Sequence, residues 1–145
     1  MRRPMTSRAG FTLIELVVVM IILVLLAALV TPRLLGRAEQ GRRAATIAQM
    51  SILEGELQKY AVDNGRFPTT EEGLEALVKE PSSAKHWRGP YLTDAIMPKD
   101  GWQNDFGYEA PGKEDRDYDL WSSGKDGESG TDDDIKSWDP ASKRE

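Results

Sequence analysis

The sequence has no cysteine and a single histidine, His86, so a disulfide framework, a thiol nucleophile and a Cys-ligated metal are all excluded. One histidine, no Gly-Ser-type nucleophile elbow and no metal-catalytic motif leave little of the inventory that an enzyme site needs. A third shortage is regional. Residues 44–145 carry twelve Lys/Arg against twenty-two Asp/Glu, a balance that argues against nucleic acid as a partner, whereas residues 1–43 carry seven against two. The basic end abuts an apolar run, as at the cytoplasmic face of a membrane, and 145 residues leave room for one ordinary domain beyond it. Lack of cysteine leaves an oxidising compartment open.

Leu16 to Val30 are fifteen consecutive apolar residues, and Glu15 is the only charge between Phe11 and Thr31. About 20 helical residues cross a hydrocarbon core, so this segment can just span one, with Arg2, Arg3 and Arg8 holding the N-terminus in the cytoplasm. A signal peptide cleaved near "LAALVTP" has a shorter apolar core, and helix-like sequence continues past that point. A plain signal anchor explains the span but not Glu15, whose burial is costly without a partner. A fully buried core helix does not suit so short a chain. Pro32, at the end of the run, predicts a kink or local melting over Val30–Gly36.

Helical spacing resumes in residues 33–64. Leu34, Ala38, Gly41, Ala45, Ala48 and Ile52 form one apolar face, which Leu53, Leu57, Tyr60 and Ala61 extend until "DNG" at Asp63–Gly65 stops the helix. Small residues first and large ones later suggest close helix-to-helix approach, then packing on a domain core. "PTTEEGLEALVKEP" reads as a short second helix with a capping box, Thr69 paired with Glu72, and Leu74, Leu77 and Val78 inward. Trp87, Tyr91, Leu92, Ile96, Trp102, Phe106 and Tyr108 are expected to anchor a loop-rich core. "NDFGYEAP" and "RDYDLWSS" read as two antiparallel strands, making an α+β domain over residues 65–138 with a polar, frayed tail at 139–145.

In "SSGKDGESGTDDDIKSWD", Asp126, Glu128, Asp132, Asp133 and Asp134 are interleaved with glycines, a composition that suits a hard cation, with calcium the best candidate. The spacing fails the EF-hand template, and acid-rich Gly/Ser segments also occur as disordered chain.

"AGFTLIELVVVMIILVLLAALVTP" resembles the N-terminus of the type IV pilin and pseudopilin superfamily, in which a basic leader ends in Gly before Phe-Thr-Leu-Ile-Glu and an apolar helix. "FPTTEEGLEALV", "WRGPYL", "DGWQNDFGYEAPG" and "DLWSSGKDGESGTDDDI" narrow the resemblance, in that order, to the major pseudopilins of type II secretion. The alternative, a surface type IV pilin for adhesion or motility, shares the N-terminal third but usually carries a C-terminal cysteine pair. The resemblance implies a pilin-like fold: leader 1–10, filament-core helix 11–32, amphipathic half 33–64, then the head. It implies cleavage between Gly10 and Phe11 by the prepilin peptidase and N-methylation of Phe11. Glu15 is then expected to meet the new amine during assembly, of the same chain or the next.

Implied partners are further copies of the chain, minor pseudopilins and the inner-membrane secretion platform. The implied location is a single pass of the bacterial inner membrane, head in the periplasm, in a filament that drives export of folded proteins. One calcium ion is implied, on Asp126, Asp132 and Asp134, with Asp133 and the Ser123 carbonyl as further ligands. Where the family has Asp-Pro-Trp-Gly-Asn-Pro-Tyr this chain has "KDGWQNDFGY", so both prolines are replaced.

Overall fold

A computed structural model describes residues 10–143, except for the side chains of residues 29–35 and 94. The chain divides into two units, one up to Ala38 and one from Glu39 onward. Helix α1, Leu13–Asn64, contributes to both.

In the first unit α1 begins behind Thr12, whose hydroxyl accepts the Glu15 amide at 3.3 Å, a job that falls to Ser, Thr, Asp or Asn because the first amides of a helix lack partners. Fourteen large apolar side chains from Phe11 to Leu26 are substantially exposed, around the whole helix rather than on one stripe. A helix that is apolar all round needs an apolar surrounding. Among the described residues no helix is long and apolar enough to cross a membrane. The span expected over residues 11–32 runs past Ala28 into positions whose side chains lie outside the described set, and the leader up to Ala9 lies outside it altogether. Local melting at Pro32 is not found: helical backbone continues from Leu13 to Asn64. A proline removes one amide donor from the ladder, and the turns on either side carry the helix through.

In the second unit α1 buries Thr46, Met50, Leu53, Leu57 and Tyr60, a stripe at intervals of four, three, four and three. Leu53, Leu57 and Tyr60 pack on the core as expected, whereas Ile52 points to solvent together with the small residues Gly41, Ala45 and Ala48. α1 ends as expected, with Gly65 at φ 74° and its amide on the Ala61 carbonyl at 2.8 Å. The expected second helix forms as a turn followed by a 3-10 segment, Leu74–Leu77, which stops well before Pro81. Gly73, at φ 58° in its middle, discourages a full α-turn. Its capping box is present, Glu72 N donating to Thr69 Oγ1 at 3.3 Å and Thr69 N to Glu72 Oε2 at 2.8 Å.

Three strands form one antiparallel sheet: β1 Gly107–Glu109, β2 Asp119–Ser122 and β3 Ile135–Lys136, in that order. β1 pairs Tyr108 with Leu120 and β3 pairs Ile135 with Ser122. A two-residue strand shows no alternation to read, which is why β3 escaped the pattern. Gly107 is required by its neighbour, since a Cβ there would meet the Trp121 ring at 2.1 Å. Leu120 and Ile135 join Phe106, Leu92, Leu74, Ala76 and Leu77 against the α1 stripe to make the core. Trp87, Tyr91, Trp102 and Tyr108 pack at its edge as expected, but Ile96 is exposed.

Residues 139–143 were expected to fray. Instead Arg43 donates to the Ser142 carbonyl and Lys143 reaches Glu54 at 3.2 Å, so the tail is tied to α1.

Glu72 sets part of the acid stability of this head. Arg66 clamps its carboxylate with two bonds of 2.6 and 2.7 Å, and Ser83 also donates to it. The Arg66 bond first, then Ser83 and the Thr69 amide, pull the Glu72 carboxyl down from 4.5 to about 2 against the opposing effect of burial. The unfolded chain therefore binds the extra proton first, so this contribution is complete above about pH 4.5 and disappears as pH falls through about 2. After allowance for the part-exposed arginine it amounts to about 2 kcal/mol. Urea unfolding of Glu72→Gln between pH 2.5 and 5 should show a flatter pH dependence than wild type; identical slopes would rule this out.

Candidate functional site: an apolar helix start and an acidic C-terminal loop

Glu15 sits in the first turn of α1, where a negative charge is favoured by the helix dipole. Its side chain is exposed, and no hydrogen bond or ion pair engages its carboxylate among the described residues. Gly10 and Phe11 precede the helix as exposed, non-helical backbone. The structure thus leaves the three residues expected for processing and assembly together at one helix start.

The head presents two loops around one buried carboxylate and one acidic turn. Asp100 is 2% exposed. Its Oδ1 accepts the Trp102 and Asn104 amides at 2.9 and 2.8 Å, and its Oδ2 accepts the Ser122 hydroxyl at 2.6 Å and the Asn104 side chain at 3.3 Å. Asn104 in turn donates to the Gly124 carbonyl at 2.8 Å, which joins this loop to the acidic one. Gly101 donates to Thr46 Oγ1 at 2.8 Å, and a Cβ on it would fall 2.2 Å from the Arg42 carbonyl oxygen. Gln103 adopts φ 72° at the position where the family resemblance places glycine. Sequence reading missed Asp100 as a keystone; an Asp four residues before an Asn in an aromatic loop is an Asx-turn signal that could have found it.

In the acidic loop the four aspartates are used differently. Asp133 accepts the Lys125 and Asp126 amides at 2.6 and 3.1 Å and the Thr131 hydroxyl at 2.6 Å. The Thr131 bond foremost, with those amides, holds its carboxyl below the usual range despite burial. Asp126 Oδ1 accepts the Glu128 amide at 2.8 Å, and the Ser123 carbonyl accepts the Gly127 amide at 3.2 Å. Asp132 is exposed and makes no such bond. Asp134 is buried: its Oδ2 accepts the Gly130 amide at 2.8 Å with Lys136 at 3.8 Å, while its Oδ1 has no donor. Among the described residues no three acidic side chains converge on a point that could hold a metal ion. The carboxylates and carbonyls of the loop offer oxygen, the donor type that hard cations take, and one buried carboxylate oxygen, Asp134 Oδ1, is unpaired.

A long N-terminal helix laid on a small antiparallel sheet, with an apolar, glutamate-bearing start, defines a pilin-like protein. The solved structure of the major pseudopilin from the type 2 secretion system of enterohaemorrhagic Escherichia coli superimposes with a TM-score of 0.65 at 36% identity, over 72% of this chain and 89% of that one. A profile described as prokaryotic N-terminal methylation motif matches residues 5–31, and one described as type II secretion system (T2SS), protein G matches residues 33–138. The type II secretion system core protein G of Aeromonas hydrophila is 42% identical over 90% of this chain and 92% of its own length. That of Klebsiella michiganensis is 42% identical over 95% and 96%, and that of Escherichia coli 39% over 94% and 94%. The chain belongs to the type II secretion system protein G family.

Proposed function

We propose that this chain is the major structural subunit of a type II secretion pseudopilus: it is held in the inner membrane by its apolar helix, extracted, and stacked into a periplasmic filament that moves folded proteins outward. The observation that carries the proposal is the start of α1 up to Leu26, where the large apolar side chains are exposed on every side and one carboxylate, Glu15, is unpaired. In a bilayer that surface meets lipid; in a filament it meets the same surface of other copies. Prepilin peptidase would cut between Gly10 and Phe11, and the Phe11 amine, N-methylated, would pair with Glu15 of a neighbouring subunit. Minor pseudopilins and the inner-membrane platform are the other partners in this reading. Mass analysis of the protein from its native host should find a chain beginning at methylated Phe11, and a chain retaining Met1 would defeat the proposal.

A calcium ion in the C-terminal loop belongs to the same reading. Asp126, Asp132 and Asp134 would hold it, with Asp133 and the Ser123 carbonyl beside them, and its charge would relieve the repulsion among these carboxylates. The unpaired Asp134 Oδ1 is what supports it here. Chelation with EGTA should lower the melting temperature by several degrees, since a ligand at a hundred times its Kd stabilises by about 2.7 kcal/mol. An unchanged melting curve would count against a structural metal.

A further inference from the structure

Of the acids in the C-terminal loop, Asp126, Glu128, Asp132, Asp133 and Asp134, only Asp134 pairs with a cationic side chain among the described residues: Lys136 Nζ lies 3.8 Å from its Oδ2. It is also the acid that most needs one, its side chain being 3% exposed against 35% for the lysine. A carboxylate so placed is costly to keep ionised, and a nearby ammonium offsets part of that cost. The offset is incomplete, because 3.8 Å is beyond hydrogen-bond reach and Oδ1 has no donor at all.

The backbone that delivers Lys136 is fixed. It pairs with Trp121 across the sheet, its amide donates to Ser142 Oγ at 2.9 Å, and its carbonyl accepts that hydroxyl at 3.1 Å. Ile135, between the two charges, is fully buried in the core. The Gly130 amide holds Asp134 from the other side, on Oδ2 at 2.8 Å. The ammonium itself rides on a flexible four-carbon stem and has no other acid within 4 Å. It can therefore lean toward Asp134 or swing into water without disturbing the strand.

We propose that Lys136 is a tethered stand-in for the loop's cation: its ammonium offsets the Asp134 charge while the loop is metal-free and opposes calcium uptake, so that this side chain lowers the loop's calcium affinity. This rests on the calcium reading and deepens it. With calcium in the loop, the ammonium either stays and repels it, since like charges a few ångströms apart are felt even through a high dielectric, or leaves and gives up its own pairing with Asp134. The same side chain spares the empty loop an uncompensated buried charge, which keeps the head folded where calcium is scarce.

The test uses the full chain in detergent. Calcium chloride, titrated by calorimetry, should bind about tenfold more tightly to Lys136→Met, which keeps the stem and drops the charge, than to wild type. Thermal unfolding in EGTA should show the opposite sign, Lys136→Met melting several degrees lower because Asp134 is then buried with no cation beside it. Lys136→Arg keeps the charge and should match wild type in both measurements, while Lys136→Gln repeats the Lys136→Met test with a polar side chain. Calcium bound equally or more weakly by both uncharged variants overturns the role of Lys136 and leaves the calcium reading standing. Tighter binding by Lys136→Arg, or a melting temperature in EGTA that neither uncharged variant lowers, overturns it in the same way. No calcium binding by wild type or any variant, in the titration or as a shift in melting, overturns both.

Discussion

Replacing Asp100 with Ala should destabilise the head by about 3–5 kcal/mol, because its carboxylate satisfies four donors in a site that water does not reach. Truncation leaves the Trp102 and Asn104 amides and the Ser122 hydroxyl without an acceptor, and each buried orphan costs on the order of 1–3 kcal/mol. The effect should spread, because Asn104 also holds the Gly124 carbonyl at the entrance of the acidic loop. In the full chain in detergent, thermal unfolding followed by Trp fluorescence should shift down by roughly 10–20 °C. Asp100→Asn keeps one acceptor for the two backbone amides and should lose about half as much. A shift of only a degree or two for Asp100→Ala would mean that the loop is held from elsewhere, by Gly101 on Thr46 and Trp102 on Glu39.

The second large effect is on assembly rather than stability. Glu15→Val should insert into the membrane normally, since it only lengthens the apolar run, yet fail to form filaments. An unpaired amine left in an apolar filament core costs on the order of 3–5 kcal/mol per subunit, or at least a hundredfold in association. Glu15→Gln keeps size and polarity and separates charge from packing. A crosslinked ladder from Glu15→Val equal to that of wild type would end the pairing idea.

The parts of this molecule that could be read in advance are those written in long periodicity or in local chemistry. The α1 core half, the stop at Gly65 and the Thr69–Glu72 box each follow from residues within a few positions of one another. What escaped depends on distant partners. Which face of α1 turns inward was misassigned at Ile52, because Thr46, a polar residue, takes the buried position to cap Gly101 from 55 residues away. β3 is two residues long and exists only because β2 offers Ser122 and Trp121 as partners. The tail looked frayed because its lysine finds Glu54, 89 positions away, only once the chain between them has folded. In the acidic loop, composition singled out a cluster of aspartates but could not distribute them; it took the fold to give Asp133 three donors and Asp134 a buried oxygen with none.

That tail bears on how the protein is made. The bond from Arg43 to the Ser142 carbonyl spans 99 residues, and the Lys143–Glu54 pair spans 89. Contacts between segments so far apart in sequence gain nothing until both are in place, so the head closes on its tail late in folding.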